Sequence, residues 1–228
     1  MFHNLLGKNY ARKYWLKKTN SPIMRDYLSQ PFISRRKHIN DIDIVSLDIE
    51  TTGLNPEKDR IVSFGLVEIS HLGIKLDTCW HQVIQTNKEL PEKSVVIHQI
   101  TDDESAAGIT IEQAMEELLK RIKGKVVLVH NANIEQSFIN QVCQKLYATN
   151  FVMRHIDTQV LAKRSLERRN QTYKPNELRL FNLRKSLNMP AYKAHNALMD
   201  AIATAELFLA MFNSISPKND GRLNEFLS

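Results

Sequence analysis

Hydrophobic positions recur with the spacing of strands in five segments of the chain. The segments 42–49 (IDIVSLDI), 60–70 (RIVSFGLVEIS) and 74–85 (IKLDTCWHQVIQ) have strand composition, and His71-Leu72-Gly73 predicts a hairpin between the last two. Short connections between neighbouring strands favour an antiparallel meander. Residues 125–130 (KVVLVH) and a stretch near 152–157 (VMRHID) predict two further strands.

After the meander, the apolar spacing changes to the three- and four-residue period of helices. A helix is predicted within 110–124, with Thr110 as its cap and Gly124 as its end. Another carries the apolar residues from Ile134 to Leu146, and three more are predicted at about 157–168, 178–188 and 197–213. The polar segment 168–179 predicts a surface loop. The pattern therefore predicts an α/β fold, a mixed sheet covered by helices.

The net charge of +6 is concentrated at the N-terminus. Residues 1–40 contain nine Lys or Arg and a single acid, Asp26, together with several aromatic residues. A basic segment of this kind suits a polyanionic partner, because Lys and Arg displace counterions from phosphates. The alternative interpretation is a solvated helical extension.

Composition argues for a soluble cytoplasmic protein. The chain of 228 residues contains no apolar run of about 20 residues, and its N-terminus lacks the features of a signal peptide. Cys79 and Cys143 are too few for a disulfide framework and lie in no metal-binding motif. We therefore expect reduced cysteines and no membrane partner.

Two carboxylates, Asp48 and Glu50, end the first predicted strand on one of its faces. Residues two apart on a strand lie roughly 6 to 7 Å apart, so their charges repel in a partly buried site. A divalent cation held by carboxylate oxygens relieves this repulsion, and Mg²⁺ and Mn²⁺ prefer oxygen ligands. The alternative is that both acids face water beyond the edge of the sheet.

A third acid, Asp200, lies on the last predicted helix. A helical wheel places Leu198, Ile202 and Leu209 on one apolar stripe, with Asp200 opposite them on a second apolar face. An acid on an apolar surface needs a partner. His195, five residues earlier, is placed to lie near that partner, although a lone histidine there is also typical of a solvent-facing residue.

Three motifs together resemble those of the DEDDh family of 3′→5′ exonucleases. They are DIETTGL (48–54), HNANIEQSFI (130–139) and HNALMD (195–200), and the similarity runs from about Asp43 to Phe212. It also touches IHQITDDE (97–104) and HIDTQVLAKR (155–164). The greatest likeness is to the proofreading subunits of bacterial DNA polymerase III and their stand-alone relatives. The resemblance implies a ribonuclease H-like fold, with a mixed five-stranded sheet flanked by helices and, in this chain, a basic N-terminal extension.

The resemblance also implies roles for individual residues. Asp48, Glu50 and Asp200 would hold two divalent ions, Mg²⁺ or Mn²⁺, about 4 Å apart. His195 would be the general base, and the product would be a nucleoside 5′-monophosphate. Contacts to the terminal nucleotides of the substrate are implied for a further set: Thr51, Thr52, Gly53, Leu54, His98 and Asn131.

The second motif departs from the family pattern His-Asn-Ala-x-Phe-Asp at two positions. Ile134 stands in place of the Phe, and Glu135 stands in place of the Asp. The added methylene moves the carboxylate by roughly 1.5 Å, in a kind of site where a misplacement of about 1 Å can cost about 100-fold in rate. We predict that Glu135 is the fourth catalytic acid. The alternative is an exposed acid in the favourable first turn of a helix.

The sequence predicts three parts: an extension (1–40), an exonuclease domain (41–216) and a C-terminal tail (217–228). The expected activity is exonucleolytic hydrolysis of single-stranded DNA 3′ ends in proofreading or repair, with a DNA polymerase as a possible partner. The short tail favours a free-standing enzyme. RNA trimming and a non-catalytic, polymerase-accessory or nucleic-acid-binding role, with a decayed site, stay open as alternatives.

Overall fold

A five-stranded mixed sheet lies at the centre of the computed structural model, which describes residues 7–86 and 91–228 apart from the side chains of Lys93, Ile97 and His98. The strands are β1 (Ile44–Thr51), β2 (Ile61–Ser70), β3 (Gly73–Val83), β4 (Val126–Val129) and β5 (His155–Asp157). Their order is β3-β2-β1-β4-β5. The first three form an antiparallel meander, and β1, β4 and β5 run parallel. The carboxyl ends of β1, β4 and β5 therefore meet at one edge of the sheet.

Helices cover both faces of the sheet. They are α1 (Lys8–Lys18), α2 (Pro22–Ser29), α3 (Glu92–His98), α4 (Asp102–Ala106), α5 (Ile111–Ile122), α6 (Asn133–Tyr147), α7 (Thr158–Arg168), α8 (Leu180–Ser186), α9 (Ala197–Ile215) and α10 (Leu223–Phe226). One hydrophobic core includes residues of α2, α5 and α6, and the other includes residues of α7, α9 and α10. Thr110 caps α5 as predicted, through a reciprocal pair of hydrogen bonds with Gln113.

The alternation of side chains along β1 assigns its two faces to these two cores. Val45 and Leu47 are fully buried in the core formed with α5 and α6, whereas Ile44 is fully buried in the core formed with α9. Ser46 Oγ donates a 2.7 Å hydrogen bond to the carbonyl of Ala201 in α9. The face of β1 that ends in two carboxylates therefore lies beneath α9.

The basic N-terminal segment packs against the rest of the molecule. Met24 and Leu28 of α2 are completely buried in the core that contains β1. The hydroxyl of Tyr27 donates a 3.0 Å hydrogen bond to the carbonyl of Val152, and the buried guanidinium of Arg12 donates to the carbonyl of Leu28. The segment thus contributes apolar side chains to the core while most of its Lys and Arg residues stay at the surface.

The C-terminal residues also contact the sheet. Phe226 of α10 is fully buried, and its ring centroid lies 5.3 Å from that of Phe212 in α9. Leu227 forms an antiparallel bridge with Ile156 of β5, and Ser228 Oγ accepts a 3.0 Å hydrogen bond from the amide of Asp157. These contacts cover the outer edge of β5.

Two local features differ from the sequence predictions. The apolar stripe of α9 carrying Leu198, Ile202 and Leu209 is only partly buried, because the helix places its other face, with Asp200, against the sheet. By length and composition alone α9 could span a membrane, but half of it is buried in the protein, as is typical of a core helix. The segment 91–106, for which no element is predicted, forms α3 and α4.

Candidate active site

The first two acids lie where β1 leaves the sheet. Asp48 pairs with Gly65 of β2, and Glu50 pairs with Ser63 just before the register shifts at Thr51. Glu50 is buried, and Asp48 is half-buried beneath α9. The end of a strand is a rigid support, so both carboxylates are held on the same face of β1.

The third acid and the histidine come from the start of α9. Asn196 caps this helix by accepting a 3.1 Å hydrogen bond from the amide of Met199. His195 precedes the cap with a positive φ of 67°, and its amide donates to Asp200 Oδ2 at 3.1 Å. One ligand atom each from Glu50, His195 and Asp200 lie within 4.8 Å of one another.

Gly65 allows α9 to approach the sheet at this point. A Cβ at Gly65 would lie 2.0 Å from the carbonyl carbon of Ala197 and 2.1 Å from the amide nitrogen of Leu198. Only glycine therefore fits opposite Asp48. Because glycine has no side chain, the first turn of α9 can lie close against the sheet at this position. Sequence reasoning missed this residue, because a glycine inside a strand is only a general signal of close backbone approach.

Glu135 lies in the first turn of α6 and turns inward. It is 2% exposed, and its Oε2 has no hydrogen-bond partner among the described residues. Burial, together with the nearby charge of Asp157, raises the pKa of Glu135 to about 8. Glu135 is therefore buried and is not the exposed acid of a helix first turn that was the alternative interpretation.

Asp157, the last residue of β5, is a further acid at this edge and had no predicted role. Its carboxylate accepts hydrogen bonds from the amides of Asn131 at 3.1 Å and Ala132 at 2.9 Å. It also caps α7 through the amide of Gln159 at 2.9 Å. Asp157 thereby fixes the turn that leads into α6 and positions Glu135. In the sequence, Asp157 is recognisable only as an N-cap residue before a helix. That pattern does not predict its hydrogen bonds to the amides of Asn131 and Ala132.

The acids strongly perturb one another. Burial, followed by the charges of Glu135, Asp200 and Glu50, raises the pKa of Asp48 well above its ordinary value. Burial and the charge of Asp200 raise the pKa of Glu50 to about 8. Burial also raises the pKa of Asp200 to about 6, although the His195 amide opposes this shift. The charges of His195 and Arg184 act in the opposite direction on Asp200, but the negative charges of the cluster outnumber them.

The donor set of this cluster fits a hard divalent cation. Asp200 Oδ1, like Glu135 Oε2, is buried without a hydrogen-bond partner in the described part of the chain. Unpartnered carboxylate oxygens that repel one another are the ligands that Mg²⁺ and Mn²⁺ prefer. Glu50, Asp200 and His195 form the cluster with metal-binding spacing, and Asp48 lies within electrostatic reach of it.

The residues after Glu50 form a tight loop beside the acids. Thr51 Oγ1 donates to the carbonyl of Gly53 at 2.7 Å, and Thr52 Oγ1 donates to Asp59 Oδ1 at 3.2 Å. Leu54 is 80% exposed, although it is a large apolar residue. The loop therefore presents Leu54 to solvent next to the carboxylates.

The other two residues with predicted substrate contacts lie on different elements. Asn131 has a positive φ of 70° and lies in the turn that Asp157 holds before α6. His98 ends α3, and its side chain lies outside the described residues. Contacts to a nucleotide stay a prediction for the whole set.

Comparisons with known proteins agree with this arrangement. The model of the exonuclease family matches residues 45–208. DNA polymerase III PolC-type of Thermotoga maritima is 30% identical over 81% of this chain, which spans 13% of that protein's length. The epsilon subunit of DNA polymerase III from Treponema pallidum is 28% identical over 80% of this chain and 82% of that protein.

Among solved structures, the nuclease domain of 3′hExo, a DEDDh family member bound to rAMP, has a TM-score of 0.66 at 18% identity. The match covers 78% of this chain and 95% of that domain. The predicted fold class and the predicted resemblance are thus confirmed. Because the family model matches more than half of the sequence, the protein belongs to the exonuclease family.

Proposed function

We propose that this protein is a metal-dependent 3′→5′ exonuclease that removes nucleoside 5′-monophosphates from the 3′ ends of single-stranded DNA. The observation that carries the proposal is the convergence of four acids and one histidine from three distant segments. Asp48 and Glu50 come from β1, Glu135 comes from α6, and His195 and Asp200 come from the start of α9. A solvated surface has no need to gather four mutually repelling carboxylates, three of them buried.

Asp48, Glu50 and Asp200 would hold two Mg²⁺ or Mn²⁺ ions. When bound, the ions would supply electrostatic stabilisation of the charge that develops on the phosphodiester oxygens. Without them, burial and the charge of Asp200 raise the pKa of Glu50 to about 8, which favours a protonated carboxyl group, a poor ligand, at neutral pH. The carboxylates of the cluster therefore supply the negative charge that the bound cations would neutralise.

His195 would act as the general base. Its side chain is exposed at the mouth of the site, and its backbone is fixed by the hydrogen bond from its amide to Asp200. A ring nitrogen would accept a proton from the attacking water, the role that histidine performs most often in enzymes. The same hydrogen bond occupies Asp200 Oδ2, so it leaves Oδ1 free as a ligand.

The loop after β1 would position the terminal nucleotide. We assign Leu54 to packing against a base, because an exposed leucine beside a catalytic cluster gains by covering an apolar ring. Thr51, Thr52 and Gly53 would offer hydroxyl or backbone contacts. We assign further contacts with the last nucleotides to Asn131 and His98.

The relatives support a place in DNA metabolism. Both curated proteins compared above are components of bacterial DNA polymerase III, so proofreading or repair in the cytoplasm is the setting that we propose, with a DNA polymerase as a candidate partner. RNA trimming uses the same hydrolytic chemistry and is the first alternative. A non-catalytic binding role is the second alternative, and the clustered acids argue against it.

Degradation of single-stranded DNA and RNA, each labelled at the 3′ or the 5′ end, tests this function. With Mg²⁺ or Mn²⁺, the wild-type protein is expected to release the 3′ label as a mononucleotide and to shorten 5′-labelled strands stepwise. Asp48→Ala and added EDTA are expected to abolish both effects. Equal background release by wild type and Asp48→Ala would refute the enzyme proposal, and faster release from RNA would favour the trimming alternative.

A further inference from the structure

A positively charged pocket, separate from the acidic cluster, lies where the N-terminal segment contacts β5. It has a volume of about 290 Å³, and its lining includes Lys8, Arg35, Arg154 and His155. Lys8 and Arg35 precede residue 45, where the match to the exonuclease family begins. The pocket is therefore formed partly by residues that precede the matched region.

The cations of this pocket outnumber its negative charges, because its described lining contains one carboxylate, that of the terminal residue Ser228. No ion pair found in the described part of the chain involves Lys8, Arg35 or Arg154. Lys8 Nζ donates a 3.1 Å hydrogen bond to His155 Nδ1, and the guanidinium of Arg154 donates to the carbonyl of Ile33. Residues 1–6, MFHNLL, contain no acid that could supply the missing charge.

Arg154 makes the lack of a counterion costly, because it is only 7% exposed. Burial and the charge of Arg154 lower the pKa of Lys8 to about 8, and burial and the charge of Arg35 lower the pKa of Arg154. The three cations thus repel one another in a partly dry pocket. The pocket thus carries excess positive charge, whereas the acidic cluster carries excess negative charge. A bound anion would reduce the repulsion among these cations.

The start of α1 adds hydrogen-bond donors to the same pocket. Gly7 precedes this helix with a positive φ of 82°, and among the described residues no side chain caps the amides of Lys8 and Asn9. An arginine fork and helix amides together match the several oxygens of a phosphate group. Chloride or a single carboxylate would use fewer of these donors.

A larger groove adjoins this pocket and extends to the start of α6. It has a volume of about 800 Å³ and shares Lys8 and His155 with the cationic pocket. It passes Trp15 and one polar face of α6, formed by Asn133, Gln136, Ser137 and Asn140, and reaches Ala132 and Asp157. Ala132 immediately precedes α6, which carries Glu135. The groove therefore ends beside the first turn of α6, the turn that carries Glu135.

We propose that Lys8, Arg35 and Arg154 form a phosphate-binding pocket that holds a backbone phosphate of the nucleic acid strand whose 3′ end occupies the acidic site. The proposal rests on the proposed function for the identity of the strand. The adjoining groove favours a strand over free phosphate, since its amide side chains and Trp15 suit nucleobases.

Two matched double variants test the pocket. Lys8→Gln with Arg35→Gln removes two charges that line it, whereas Lys13→Gln with Arg36→Gln removes two exposed charges from the same segments outside it. Both are made in an Asp48→Ala background, and binding of a labelled oligonucleotide of about 20 nucleotides is followed by fluorescence anisotropy across salt concentrations. Melting temperatures establish that each variant is folded.

The pocket variant is expected to weaken binding on the order of tenfold more than the control, as for lost charge-assisted contacts to a phosphate. Its salt slope should decrease by about 0.7 for one lost phosphate contact to a single strand. Equal losses in the two double variants would overturn the pocket. Protection of the wild type against melting by inorganic phosphate, without any difference in strand affinity, would overturn the assignment to a strand.

Hydrolysis of the p-nitrophenyl ester of a nucleoside 5′-monophosphate separates this proposal from the proposed function. No residue that lines the pocket belongs to the acidic site, so the pocket variant with Asp48 intact is expected to hydrolyse this small substrate at the wild-type rate. Loss of this hydrolysis in the folded pocket variant would overturn the proposed role. Absence of all hydrolysis in wild type, with the strand-binding difference preserved, would refute the exonuclease and leave the phosphate pocket standing.

Discussion

Replacing Gly65 with alanine is expected to reduce hydrolysis at least about 100-fold while the protein remains folded. A Cβ at this position would lie 2.0 Å from the carbonyl carbon of Ala197, whereas ordinary contacts begin near 3.4 Å. The first turn of α9 must therefore move by about 1.4 Å, because the conflicting atoms belong to backbone and not to a flexible side chain. His195 and Asp200 would move with it, away from Glu50.

The size of the expected effect follows from the geometry of the site. A displacement of about 1 Å in a catalytic arrangement can cost about 100-fold in rate, and overpacking of a core typically costs about 1 to 3 kcal/mol in stability. The Gly65→Ala protein should consequently melt at a lower temperature but keep its secondary structure. Gly73→Ala is the matched control, because a Cβ there would meet its nearest atom, the carbonyl oxygen of Ser70, at an ordinary 3.5 Å.

The assay is release of a 3′-terminal labelled nucleotide from single-stranded DNA, measured well below the melting temperature of each variant. Circular dichroism and thermal melting establish that Gly65→Ala is folded. Activity of this variant within about threefold of Gly73→Ala would refute the reasoning, since the register of α9 over β1 would then not control the position of His195 and Asp200.

Three further outcomes are expected. Glu135→Asp should slow hydrolysis by about 100-fold, because the shortened side chain withdraws a buried carboxylate from a cluster that it reaches in the native structure. In EDTA, the melting temperature should fall as the pH rises from about 5 through about 8. Burial and neighbouring charges raise the pKa of Glu50 to about 8, so the folded protein binds more protons there than the unfolded chain, and Glu50→Gln should lessen the fall. Leu54→Ser should raise KM for single-stranded DNA several-fold without changing the melting temperature, because this side chain is 80% exposed.

Each of these expectations has a contrary result. Faster hydrolysis by Glu135→Asp, by about tenfold or more, would mean that glutamate handicaps the site. Identical pH profiles of melting for wild type and Glu50→Gln would contradict the raised pKa of Glu50. An unchanged KM for Leu54→Ser, measured in steady-state kinetics, would remove Leu54 from the substrate contacts.

Periodicity in the sequence was sufficient to predict the sheet and most of its helices. Apolar alternation identified the strands, and the antiparallel meander followed from their short connections. The burial of α9 was predicted less well, because apolar residues occur almost all round it and a helical wheel cannot choose between Leu198 and Asp200 as the side that meets the sheet. Packing against β1 and β2 makes that choice.

The candidate site shows a similar limit. Paired acids on one strand predicted a cation site, and the resemblance to known motifs supplied Glu135. Gly65 and Asp157 were missed because their roles depend on contacts with residues far away in the chain, at Ala197 and at Asn131. A local sequence pattern shows that a glycine or an N-cap residue is present. It does not show which backbone atoms, far away in the sequence, that residue contacts in the folded protein. The cationic pocket was missed for the same reason, since Lys8 and Arg154 meet only in the folded protein.

Calorimetric titration of the metal-free protein with Mn²⁺ tests most directly whether the converging acids form a metal-dependent site. We expect saturable binding to the wild type, weakened at least about tenfold in Asp200→Asn, because this change removes one charge from a cluster that prefers hard cations. Lys185→Gln, an exposed change on α8, should bind like the wild type. Mn²⁺ binding of equal strength in wild type and folded Asp200→Asn would contradict the assignment of these acids as the metal site.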